Sequence, residues 1–131
     1  MRQIEQLGQV LAKALARLLN LKESPDAGLS IDEIKLVYSD ELDLALDLIL
    51  NTPNEEIIEV LTSRIKFIDH HLETMAELLT ETADLYDNSA ETVAARNFRE
   101  KAIVIYEYLQ KTSGSFSLDR IMKITQIKEM L

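Results

Sequence analysis

Residues Ala76–Leu109 read AELLTETADLYDNSAETVAARNFREKAIVIYEYL, and their reading decides the fold. Apolar residues recur at helical spacing on both sides of Asp87, Asn88 and Ser89, which have the composition of a tight connection, so the stretch predicts two antiparallel helices. Ala83 and Tyr86 on the first helix, with Ala95, Phe98 and Ala102 on the second, put small or aromatic side chains where two helices must approach closely.

Upstream of the hairpin, Ile57, Leu61, Ile65, Ile68, Leu72, Met75, Leu79, Ala83 and Tyr86 cover 29 residues in eight steps, with no Gly or Pro between Pro53 and Asn88. That period predicts one long helix, roughly 50 Å at about 1.5 Å per residue. Thr52 as cap, Pro53 at the first position and Glu55 three residues after the cap form its start signal. Asn88 in the left-handed region and Ser89 as the next cap close it. The second hairpin helix should run from Ala90 to Lys111, with Val93, Ala95, Phe98, Ala102, Ile105, Tyr106 and Leu109 buried and Gly114 just beyond. Ser117 then caps a closing amphipathic helix through Leu118, Ile121, Met122, Ile124 and Ile127.

Toward the other end, Ile4, Leu7, Leu11, Ala14, Leu18 and Leu21 form a heptad-like stripe on a helix from Arg2 to Leu21, and Val10, Leu15 and Leu19 widen it. The surplus apolar surface calls for cover by the domain itself or by a second subunit. Pro25, Asp26 and Gly28 mark a connection. Ser30 and Glu33 have capping-box spacing, with Leu29 and Ile34 as its staple, and start a short helix ending near Tyr38. Another helix from Asp40 or Glu41 to Leu50 buries Leu42, Leu46 and Ile49. The expectation is one all-α domain spanning residues 1–131, a compact antiparallel arrangement of about six helices.

Composition agrees. The chain has 131 residues, 47% of them hydrophobic, with only three Gly and two Pro. It is long enough for one real core and poor in the turn residues a strand-rich fold needs. The absence of Cys excludes disulfides, thiolate metal sites and a cysteine nucleophile. Glu5, Gln6, Gln9, Lys13 and Arg17 interrupt the first apolar run, so a secretory leader is not expected, and no run approaches the roughly 18 apolar residues of a membrane span. The location expected is the cytoplasm. The net charge is -9, and residues 23–60 hold eleven acidic side chains against one basic. Such a surface repels nucleic acid and anionic lipid; a solvated acidic face that keeps the protein in solution is the favoured reading, and attraction of a basic partner the alternative.

Chemistry-bearing patterns are sparse. His70 and His71 are the two histidines. As helix neighbours they point about 100 degrees apart and do not share a metal readily. His70 with Glu73 gives two ligands at most, while the glutamate-histidine spacing of dinuclear bundles is missing. Asp40, Glu41, Asp43 and Asp47 cluster without the glycine and terminal glutamate of a calcium loop. Gly8, Gly28 and Gly114 are isolated, so no phosphate-cradling loop exists. No catalytic residue, metal or cofactor is expected. Tyr106 and Tyr108 cannot face the same way, so one should reach the surface.

The hairpin resembles a unit of the tetratricopeptide repeat, on Ala83, Tyr86, Ala95 and Ala102. Arg99 stands where that repeat usually has an aromatic residue, with Phe98 one position early, and Glu107 stands where proline is common. Moving 34 residues either way from Tyr86 meets Thr52 and Arg120, so no second repeat is present. The opening IEQLGQVLAKAL and closing YEYLQKTSGSFSLDRIMKI resemble a family of small bacterial proteins of unassigned function, which implies a helical fold and no activity.

The functional expectation is a non-enzymatic protein–protein interaction module, a homodimer that binds a protein or peptide between the long helix and the one after it. Leu7, Leu11, Leu18, Tyr86, Tyr106 and Tyr108 are its candidate interface residues. The alternative is a small-molecule or metal-binding protein using His70 and nearby carboxylates.

Overall fold

Residues 4–23, 31–114 and 116–131 are described by a computed structural model. They form α1 (Ile4–Glu23), α2 (Ile31–Leu42), α3 (Leu46–Asn51), α4 (Ile57–Glu59), α5 (Asp69–Asn88), α6 (Thr92–Thr112) and α7 (Leu118–Glu129), with no strand among them. The fold is all-α. The α5–α6 hairpin is its centre: α1 packs on α5 and α2, while α7 packs on α6. Ala83, Ala95 and Ala102 have no exposed surface, and Tyr86 meets Phe98 edge-on with ring centroids 5.1 Å apart. Small side chains allow the close crossing and the aromatic pair keys it.

The single long helix expected from Pro53 to Asn88 is broken. Thr52 does not cap it; its hydroxyl donates to the Leu48 carbonyl at 2.6 Å and closes α3. A 3-10 turn at Asn54–Glu56 leads into the one turn of α4, which widens into a π-helical turn at Val60–Arg64. Lys66 then adopts φ 70°, and the Phe67 amide donates back to the Leu61 carbonyl at 2.9 Å. Ile68 is extended, and α5 starts at Asp69. Wider winding shifts the helical phase. The shift buries Phe67 and leaves Ile68, the expected core position, 44% exposed. His71 sits three residues inside and its Nδ1 accepts the Ile68 amide proton at 3.1 Å, satisfying one donor at the new N-terminus.

Other boundaries move for local reasons. α2 continues past Tyr38 to Leu42 and ends where Asp43 takes φ 52° and its amide donates to the Ser39 carbonyl, so α3 starts only at Leu46. At the hairpin tip the positive φ belongs to Ala90, not Asn88, and Ser89 donates to the Leu85 carbonyl instead of capping α6. Val93, assigned to the core face, lies outside it at 84% exposed. Ser117 does cap α7, accepting from the Arg120 amide at 3.2 Å. The Ser30 capping box and the Leu29 staple lie outside the described residues.

Leu11, Ala14 and Leu18 are wholly buried, and Leu7, Leu15 and Leu21 pack partly buried against the core. The wide stripe of α1 is therefore used twice, against α5 and against α2. Leu19 is left outside that contact.

Candidate functional site

Charge segregated along the sequence is paired across the fold. Lys13 and Arg17 of α1 meet Glu41 of α2, and Lys35 meets Asp47. The middle of α5 carries acids at Glu73, Glu77, Glu81, Asp84 and Asp87, and it draws cations from three helices. Lys22 of α1 lies 2.9 Å from Glu81 and 2.8 Å from Asp84. Burial opposes its charge, but hydrogen bonds to both carboxylates prevail and hold its pKa above the ordinary value. From α7, Arg120 bonds Glu73 and Lys123 lies 3.5 Å from Glu77. The pairs rise in number together, so α7 runs parallel to α5.

Arg99 of α6 bridges Asp84 and Asp87 through its two terminal nitrogens, while its Nε has no hydrogen-bond partner among the described residues. Its side chain is nearly inaccessible, whereas the two acids keep part of their surface in water. Arg99→Ala should lower the unfolding free energy by about 3 kcal/mol, the low end for breaking a buried pair, because both carboxylates stay partly hydrated. Urea denaturation reads this directly, and Arg99→Lys should recover only part, since one ammonium cannot hold both acids bidentately.

Above these pairs lies a groove of about 320 Å³. One wall is Glu77, Thr80, Glu81 and Asp84 of α5; the other is Lys123, Gln126 and Ile127 of α7 with Met130 just past its end; Tyr106 of α6 lies between them. Each wall follows the i, i+3, i+4, i+7 spacing of one helix face. Tyr106 is 1% exposed, and its hydroxyl has no hydrogen-bond partner among the described residues. Burial pushes its pKa up, and Glu77, Glu73 and Asp119 reinforce that against Arg120. Lys123 places its ammonium 5.7 Å from the centre of the Tyr106 ring, within cation–π range. Elsewhere, Lys101 is buried, with its Nζ held by Asn97 and Asn54 at 2.6 and 3.1 Å. Desolvation lowers its pKa, so it ties α6 to the 54–56 turn at an electrostatic cost.

Of the six candidate interface residues, only Tyr106 lines the groove. Leu11 and Leu18 lie in the chain's own core because α5 and α2 cover them, and Tyr86 is closed in by Phe98. Leu7 and Tyr108 are half-buried. Tyr106 turns inward and Tyr108 is partly exposed, as residues two apart on a helix point to roughly opposite sides. His70 is exposed at the start of α5, and Glu73 is turned to Arg120 instead. Among the described residues no three His, Asp or Glu side chains converge on a metal position, and no helix is long and apolar enough to cross a membrane.

Reading single helices hid Lys22, Arg99 and Lys101, because their roles exist only between helices. The walls did leave a trace: Glu77, Glu81 and Asp84 share a spacing with Lys123, Ile127 and Met130. Comparison with protein-family models, with curated proteins and with solved structures gave no match.

Proposed function

We propose that this chain is a non-enzymatic helical module that binds a segment of another protein in the groove between α5 and α7. The observation that carries the reading is Tyr106: a phenol 1% exposed that lines the groove, its hydroxyl making no hydrogen bond to the described residues. A phenol hydroxyl that spends none of its hydrogen-bonding capacity on the protein is available to a ligand in the groove. Ile127 and Met130 supply apolar wall, and Phe116, Leu118 and Met122, at and just before the start of α7, are exposed apolar side chains. The likeness of the α5–α6 hairpin to a tetratricopeptide unit agrees with a helical docking surface.

The test is selection of displayed random peptides on the intact protein, followed by measurement against Thr80→Arg, which fills the groove from the α5 wall. Enriched peptides should lose at least tenfold in affinity for the blocked variant. Failure to enrich any peptide, or equal binding to both proteins, would overturn the reading.

A further inference from the structure

We infer that the groove accepts a cationic side chain, an arginine or lysine of the partner segment, with its head on Glu77, Glu81 and the Tyr106 hydroxyl and its stem along Ile127 and Met130. The inference deepens the peptide-binding reading and rests on it. The protein's own lysines show what the walls accept. Lys22 occupies Glu81 and Asp84, and Lys123 lies between Glu77 and Asp119 while facing the Tyr106 ring. Both are about one-third exposed. Ion pairs at that exposure contribute little, so an incoming cation can replace them at small cost. The hydroxyl oxygen of Tyr106 can accept from an N–H of an ammonium or guanidinium.

Field and shape favour the same ligand. The groove lining carries three carboxylates, Glu77, Glu81 and Asp84, against the one ammonium of Lys123, so it favours positive charge. Neighbouring carboxylates suit guanidinium, which forms two parallel hydrogen bonds. The volume, near the lower limit for ligand sites, fits one long side chain and not a folded domain.

Nitrogen-15 NMR titration of the whole protein with Nα-acetyl-arginine amide tests this, with Nα-acetyl-citrulline amide as its neutral isostere and putrescine as a free amine. Saturable shifts are expected at Thr80, Glu81, Asp84, Gln126 and Ile127. They should be absent with the citrulline probe and weakened at least fivefold in Glu77→Gln/Glu81→Gln. Tyr106→Phe, which keeps the ring and removes only the acceptor, should lose about threefold, the effect of one ordinary hydrogen bond.

Equal shifts from the citrulline probe, or shifts spread over the acidic residues 32–59, would overturn the cation site. Tighter binding of putrescine than of the arginine amide would overturn the peptide source. If displayed peptides map to the groove but carry no basic residue, the cation inference fails while the peptide-binding reading survives. If none maps there, both fail.

Discussion

Replacing Leu11 and Leu18 together by Glu should unfold the protein, with helical circular dichroism collapsing and no cooperative urea transition remaining. Both side chains have 0% exposed surface, held by α2 and α5. Truncating one buried leucine to alanine costs about 2–5 kcal/mol, and a carboxylate left in that space adds desolvation or must take up a proton. Two such changes approach or exceed the typical total of about 5–15 kcal/mol for a domain. Leu18→Ala alone should stay folded and lose about 3 kcal/mol. The contrary result is a double variant that keeps its helix content and shows half the wild-type mass by light scattering. That outcome would assign the α1 stripe to a subunit boundary.

The stripe illustrates what periodicity can and cannot decide. Ile4 to Leu21 is readable as a helix with more apolar surface than one face holds, but the pattern is the same whether the second cover is α2 or another subunit. The hairpin was more legible because its message is local: Ala83, Ala95 and Ala102 mean close approach whatever surrounds them. The break at residues 60–68 was not legible. Ile57, Leu61, Leu72 and Met75 keep near-helical spacing across it, since the widened turn and the left-handed Lys66 together move the phase by about a residue, and no Gly, Pro or Asn marks the place. The same limit applies to the groove. Tyr106 could be named as one of two tyrosines on opposite faces of α6, but that it turns toward the acidic wall depends on where α7 lies, and helix order in space is set by packing.

Buried charge shows a further asymmetry. Arg99 bridges Asp84 and Asp87 across the helix crossing, a role that no spacing on α6 announces. Lys101 reaches the 54–56 turn, a contact that exists only because the expected long helix is interrupted there. Lys101 thus reflects a departure from helical regularity elsewhere in the chain.

Alkaline pH should destabilise the fold through its tyrosines. Burial raises the pKa of Tyr38 well above its usual value; its hydroxyl lies 2.7 Å from Thr82 Oγ1, whose own proton is given to the Leu78 carbonyl, so Tyr38 is the donor. Ionisation would remove that donor and leave a phenolate in the core. Tyr106 is also raised, by burial and then by Glu77, Glu73 and Asp119. Tyr86 is pushed up to about 12, by burial first and then by Asp47, Glu91 and Asp32. In the unfolded chain all three titrate near about pH 10. Their stabilising contribution is therefore complete below pH 10 and is lost as pH rises toward the folded values, because the unfolded chain then holds fewer protons. Each tyrosine removes about 1.4 kcal/mol per pH unit in that window. Lys22 and Lys123, also raised, act in the same direction above about 10.5. Lys101 acts oppositely, since its lowered pKa makes stability rise until the unfolded lysine titrates, and its effect ends there. Urea midpoints should fall steeply above about pH 10, with phenolate absorbance and loss of helical dichroism appearing in one transition. Tyr38→Phe should make the fall shallower by about 1.4 kcal/mol per pH unit, even though it costs about 1 kcal/mol at neutral pH from the lost hydrogen bond. If instead these tyrosines ionise near pH 10 while the helix signal is unchanged, their hydroxyls are open to water and the packing around Tyr38 and Tyr106 is looser than described.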